Sequence, residues 1–103
     1  MYNTIVIGKN NPKNIMAKIK LEVLSSPGCH NCRLFLEFWE TIKDKYPDAE
    51  FHHYDMITDE GQAMIQKYMI FASPGIIVND ELFATGGFNK DEFMKKMNEL
   101  SGK

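Results

Sequence analysis

The chain reads as an α/β protein: a mixed central sheet with helices on both faces, in the order β-α-β-α-β-α-β-β-α. Three observations carry that expectation. Apolar runs that alternate with period two take turns with stretches of four-residue apolar spacing, the pattern of strands joined by crossover helices. Such crossovers make the early strands parallel, whereas the two-residue Asn79-Asp80 turn makes the last two antiparallel. The length of 103 residues fits one domain, residues 1–103, able to form a core without disulfide staples.

Each element has its own signal. Thr4 to Ile7 is a short β-branched strand stopped by Gly8, and Asn10-Asn11-Pro12 starts a short helix from Pro12 to Lys18. Ile19, Leu21 and Val23 alternate with Lys20 and Glu22, and Leu24 adds apolar character on the second face, as in a strand well inside a sheet. After the turn Ser25-Ser26-Pro27-Gly28, a helix is expected from about Cys29 to Tyr46. Leu34, Phe35, Phe38, Trp39, Ile42 and Tyr46 form its apolar stripe and Pro47 ends it. Ala49 to Met56 is a strand. Thr58 caps the next helix, with Asp59 and Glu60 suited to its first turn and Ala63, Met64, Ile65, Tyr68 and Met69 on its apolar face. The break at Phe71-Ala72-Ser73-Pro74-Gly75 leads into strands Gly75 to Val78 and Glu81 to Thr85, closed by Gly86-Gly87. Asn89, with Glu92 three residues on, caps a last helix whose stripe is Phe93, Met94, Met97 and Leu100. The tail Ser101-Gly102-Lys103 is expected to fray.

Composition narrows the function classes. Hydrophobic residues make up 44% and charged residues 25%, as in ordinary globular proteins. A net charge of −2 implies no broad attraction to nucleic acid or an anionic membrane. No apolar run approaches the ~18 residues of a membrane span. The segment Met1 to Asn11 lacks the charged start and ~7–15-residue apolar stretch of a signal peptide, so a cytoplasmic protein is expected.

The chemistry concentrates in Cys29-His30-Asn31-Cys32, which holds the only 2 cysteines. Thiols at C-x-x-C spacing on a strand-to-helix junction can close a disulfide and reopen it, and a helix N-terminus stabilises a thiolate there. An inert thiol pair or structural disulfide is one alternative. Zinc is another, with Cys29, Cys32, His30 and His52 or His53 as ligands. Against zinc, there is no second C-x-x-C, and adjacent strand histidines point to opposite faces. A charged His30 beside Cys29 would favour the thiolate and make the pair more oxidising.

The order of elements, the C-x-x-C at a helix start, a proline about forty-five residues later ahead of a strand, and a glycine pair after the hairpin together resemble the thioredoxin family over almost the whole chain. Ser73-Pro74-Gly75 and Asn79-Asp80-Glu81 look closest to small archaeal and bacterial thioredoxin-like proteins. The resemblance implies a thioredoxin fold and a thiol–disulfide oxidoreductase with Cys29 attacking and Cys32 resolving. By the same resemblance Pro74 is a cis-proline, Ser73 pairs its backbone with an extended substrate, and Gly86 and Gly87 let that substrate come close, with Gly28 counted among the substrate-binding positions. It further implies disulfide-containing protein substrates, electrons from a thioredoxin-reductase-type donor, no cofactor beyond the cysteine pair, and a monomer.

Departures from the family pattern are specific. Gly28 stands where thioredoxins carry tryptophan, and His30-Asn31 where they carry Gly-Pro. The family's buried aspartate falls on Val23, and its partner lysine near Tyr54, which leaves the proton acceptor for Cys32 unassigned. Glutathione-linked, glutaredoxin-like activity is a rival, weakened because Ala72-Ser73 precede Pro74 and Phe88-Asn89-Lys90 delay the acids Asp91-Glu92. A non-enzymatic module binding a metal or partner through the same face is the other. Trp39 and the methionines read as core, and His52 and His53 as strand residues. Phe71 and Phe88 read as either a docking rim or core.

Overall fold

The computed structural model describes residues 19–102. The expected first strand, Thr4 to Ile7, and the short helix from Pro12 lie outside the described residues. The described elements are β1 (Ile19–Ser25), α1 (His30–Ile42), β2 (Ala49–Asp55), α2 (Asp59–Tyr68), β3 (Gly75–Val78), β4 (Glu81–Thr85) and α3 (Lys90–Ser101). The strands lie in the order β2-β1-β3-β4. β1 runs parallel to β2 and antiparallel to β3, and β3 is antiparallel to β4.

Period-two alternation sorts the strand side chains onto two faces. Ile19, Leu21 and Val23 of β1, with Ile76 and Val78 of β3, pack under α1 and α3 against Phe35, Trp39, Ile42, Phe93 and Met97. Leu24 and Ile77 turn the other way and pack with Ile70 beneath α2, which contributes Met64, Ile65 and Tyr68. Each fully buried aliphatic or aromatic side chain contributes about 1.5–3 kcal/mol relative to exposure. Phe35 is met edge-on by Phe88 and Phe93 at 5.0 and 5.1 Å, and Trp39, only 4% exposed, stacks on Phe51 at 5.7 Å. These contacts press α1 along the length of β1.

Local chemistry sets the boundaries. Thr58 Oγ1 accepts the Gly61 N–H at 3.0 Å and Asn89 Oδ1 accepts the Glu92 N–H at 2.9 Å, so both expected caps form. Asn79 and Asp80 take φ of 50° and 67°, the left-handed pair of a type I′ hairpin turn. The helix expected to reach Tyr46 stops at Ile42, and Lys43–Lys45 tighten into a 3-10 turn. Pro47 keeps Tyr46 out of helical geometry, and the chain closes with the Tyr46 N–H donating to the Lys43 carbonyl at 3.0 Å.

The apolar stripes are narrower than expected. Leu34 is 40% exposed, and Met69, at 64%, lies past the end of α2 in a left-handed C-cap. Ala63 is also exposed, and Ile70, which the spacing passes over, is the buried residue there. The expected fraying is confined further than the sequence suggests: Ser101 is still helical, and Gly102 caps α3 with φ 80°.

Tyr46 ties the end of this helical segment to α3 by donating its hydroxyl to Asn98 Oδ1 at 2.8 Å. Burial holds its phenol above the ordinary value. Tyr46→Phe is expected to cost about 1 kcal/mol in denaturant unfolding, since Asn98 loses its donor. The unfolded tyrosine ionises first, so stability is full below about pH 10 and declines as pH rises toward the folded value. Alkaline melting curves of Tyr46→Phe should lack that component.

Candidate active site

The turn between β1 and α1 is built to present a sulfur. Pro27 and Gly28 occupy its central positions, Gly28 takes φ +74°, and the Cys29 N–H donates to the Ser26 carbonyl at 3.3 Å. Proline followed by a positive-φ glycine is the signature of a type II turn. It delivers Cys29 as the N-cap of α1, in extended geometry, with its sulfur accepting the Cys32 N–H at 3.1 Å. Cys29 and Cys32 are joined by a disulfide with Cα atoms 5.3 Å apart. Cys32 is only 3% exposed, while Cys29 is half-buried. The positive end of the α1 dipole and an amide N–H therefore face the sulfur of Cys29.

Two further loops meet this turn. The Ser73–Pro74 peptide is cis and Pro74 is fully buried. Ser73 and Ser26 hydroxyls hydrogen-bond at 2.8 Å, joining the proline loop to the cysteine loop. The Gly86 N–H donates to the Pro74 carbonyl at 2.9 Å, and Asn31 Nδ2 donates to the Gly86 carbonyl at 3.0 Å. Gly28, Cys29, Cys32, Ser73, Pro74 and Gly86 thus gather at one end of the sheet. Gly87 lies on the far side of Asn31, where it lines a depression of about 560 Å³ with Leu34, Phe38, Phe88 and Lys90.

A second depression, about 330 Å³, opens beside the disulfide between Ser25, Ser26, Cys32, Arg33 and Leu36. His30 is exposed at its rim, and its Nδ1 lies 3.1 Å from the Arg33 guanidinium. A guanidinium only donates, so Nδ1 accepts and carries no proton in this arrangement. Arg33 therefore brings a guanidinium to the rim beside His30. Arg33 also has Glu37 Oε2 at 3.9 Å from its Nε.

Other candidates separate. His52 Nε2 pairs with Glu50 Oε2 at 2.8 Å, and His53 Nε2 with Ser25 Oγ at 2.7 Å. Among the described residues no group of three or more His, Cys, Asp or Glu stands close enough to hold a metal ion. Glu22 lies on the α2 face of β1, away from α1, and Asp55 Oδ1 accepts the Ile57 N–H at 3.0 Å. Phe88 is partly buried, packed edge-on against Phe35 and stacked on Phe38 at 5.8 Å, whereas Phe71 is 84% exposed. Sequence reading passed over Ser25, Ser26, Asn31 and Arg33. Their signal was adjacency: two hydroxyls lead into the turn, Asn31 lies between the cysteines and an arginine follows Cys32.

With this geometry in view, the chain matches the sequence profile of the Thioredoxin domain over residues 18–99. The chain belongs to the thioredoxin family. It is 28% identical over 81 residues to a thioredoxin of Methanocaldococcus jannaschii, covering 78% of this chain and 93% of that one. Among solved structures, thioredoxin O2 of Arabidopsis thaliana in its oxidised state superposes with a TM-score of 0.67 at 19% identity, covering 82% of this chain and 76% of that one. A thioredoxin f2 in complex with ferredoxin:thioredoxin reductase gives 0.65 at 16% identity, covering 86% of this chain and 84% of its own. The fold is the thioredoxin fold, and the protein is a thiol–disulfide oxidoreductase whose redox group is the Cys29–Cys32 pair.

The glycine pair separates backbone strain from partner access. A Cβ on Gly86 would sit at φ +78° and 3.3 Å from the Ala72 Cβ, whereas one on Gly87 meets nothing within 4 Å. Gly86→Ala should lose about 1–2 kcal/mol in denaturant unfolding of the oxidised protein. Gly87→Ala should stay within about 0.5 kcal/mol of the parent.

Proposed function

We propose that the protein reduces disulfides in protein partners, in the cytoplasm, as a monomer that draws electrons from a thioredoxin-reductase-type donor. One observation carries the assignment of roles: the Cys29 sulfur caps α1 and accepts an amide N–H, while Cys32 is buried behind it. The capped, more exposed sulfur is the better thiolate and the attacking group. Cys29 thiolate attacks a substrate disulfide, one substrate sulfur leaves, and a mixed disulfide forms. Cys32 then attacks the Cys29 sulfur, its proton departs, the second substrate sulfur leaves, and the substrate gains the two electrons that the cysteine pair gives up.

Pro74, cis and without an N–H, is proposed to pack against the cysteine pair, and the Ser73 backbone to pair with an extended substrate segment. Gly28, Gly86 and Gly87 keep side chains out of the approach path. His30 is proposed to tune the Cys29 thiolate through Arg33, which it holds beside the depression. The donor is supported by family membership and by the related thioredoxin f2, whose structure is a complex with a reductase. The net charge of −2 argues against nucleic-acid and anionic-membrane partners, and among the described residues no helix is long and apolar enough to cross a membrane.

The test is a redox titration of the cysteine pair with zinc content recorded beforehand, followed by turnover of a protein disulfide. A two-electron transition near about −270 mV, with turnover driven by a flavin-dependent reductase, is the expected result. A potential near about −200 mV or above, with turnover of glutathione mixed disulfides instead, would move the protein to the glutaredoxin-like reading. Stoichiometric zinc without any reversible transition would leave only a binding module. Cys32→Ser should accumulate a mixed disulfide through Cys29, and Cys29→Ser should accumulate none, read by intact mass. Arg33→Met should raise the pH at which the Cys29 thiolate forms, followed by its ultraviolet absorbance, and His30→Ala should shift it the same way by less.

A further inference from the structure

Cys32 must lose a proton to attack, yet it is buried, and Val23, the position on which the family's buried aspartate falls, carries no acid. Neither neighbouring carboxylate serves. Glu22 is on the opposite face of the sheet, and Asp55 Oδ1 accepts the Ile57 N–H in the turn from Met56 to Thr58. Among the described residues two imidazoles stand at the depression beside Cys32: His30 at its rim, with Nδ1 taken by Arg33, and His53, which reaches it through Ser25. Ser25, the last residue of β1, lines it together with Cys32, and the Ser25 hydroxyl is 2.7 Å from His53 Nε2. His53 is the register partner of Val23 and lies diagonally from Ser25, on the α1 side of the sheet with Phe51, which stacks on Trp39 of α1. His53 itself is exposed to solvent.

We propose that Ser25 and His53 form the proton acceptor for Cys32, with Ser25 relaying and His53 as the base. The inference rests on the reading of Cys32 as the resolving thiol. Neutral His53 accepts the Ser25 proton on Nε2, and Ser25 Oγ takes the proton of Cys32, directly or through a water in the depression. The Cys32 thiolate forms its bond to the Cys29 sulfur, the Cys29–substrate S–S bond breaks, and the departing substrate thiolate takes up a proton that His53 releases to solvent. Among the described residues, the charged groups around His53 are Asp55 on its own strand, His30 and Arg33 across the depression, and Glu40, Lys43 and Asp44 beyond Phe51. β1 presents only Ile19, Leu21, Val23 and Ser25 on this face.

Stopped-flow mixing of the reduced protein with Ellman's reagent separates the two steps. The first thionitrobenzoate is released when Cys29 attacks, at a rate that depends on reagent concentration. The second is released when Cys32 resolves the mixed disulfide, at a rate that does not. The readout is the second-phase rate against pH, with the first phase as the reference for folding and access. In the parent the second phase should slow in acid, over the range where imidazoles take up protons. His53→Gln should lose the levelling-off above that range, its rate rising with pH up to the ionisation of Cys32 itself, and run about a hundredfold slower at neutral pH, the low end of what a positioned base contributes. Ser25→Ala should match it, the double variant should be no slower than either single one, and all should converge with the parent where hydroxide ionises Cys32 unaided. A His53→Gln profile that levels off where the parent's does, at the parent's neutral-pH rate, or effects of the two substitutions that add, would overturn the relay and leave Cys32 as the resolving thiol. Absence of a second phase in the parent would overturn both.

Discussion

The packing of α1 onto β1 is the contact on which the rest depends. Phe35, Trp39 and Ile42 bury against Ile19, Leu21 and Val23, and this face-to-face burial sets where the helix begins relative to the end of the strand. The connecting turn is short, so the position of Cys29 follows from the two elements that flank it. A sulfur at that point falls on the axis of unpaired amides at the helix start, and the next cysteine, three residues on, is carried inward by the same helix. The difference between the two sulfurs, one capped and half-open, one buried, is therefore a consequence of core packing rather than of the thiols themselves.

The remaining loops are held to that point by polar contacts rather than by core. Ser26 with Ser73, Gly86 with Pro74, and Asn31 with Gly86 link three segments that are far apart in the chain. Each link is a single hydrogen bond, worth on the order of 1 kcal/mol. The cysteine loop, the proline loop and the glycine pair thus form a surface that is positioned yet easily shifted relative to the buried sheet. This combination suits a site that must admit the backbone of another protein and release it after two exchanges.

Much of this was legible in the residues. The alternation in Ile19 to Leu24, the left-handed Asn79-Asp80 turn, and the caps at Thr58 and Asn89 are local signals, and the structure follows each of them. Family membership was legible through the spacing of the C-x-x-C, the proline and the glycine pair. What failed did so where tertiary context decides. Leu34 and Met69 match helical spacing but lie where no second layer covers them, while Ile70, outside the helix, is folded back under the sheet. Tyr46 matched the stripe of α1, yet the proline after it converted that last turn to 3-10 geometry. Phe71 and Phe88 are alike in sequence context, and only the positions of Phe35 and Phe38 cover one in part and leave the other in solvent.

The sequence by itself determined the chemistry of the site: two thiols at a helix start can exchange disulfides wherever that helix is placed, because the spacing and the dipole are local. From Ile19 onward it also determined the order of strands and helices, since hydrophobic period and turn residues act over a few positions. The surroundings of the cysteines were decided only by the fold. His30 reads as a cation in the sequence, and in the structure Arg33 brings a guanidinium beside it. His53 reads as a strand histidine, yet β1–β2 pairing brings it onto Ser25 beside the buried thiol. Those contacts depend on strand register and on which way each side chain leaves the pleat, and register arises from the packing of whole elements rather than from any residue alone.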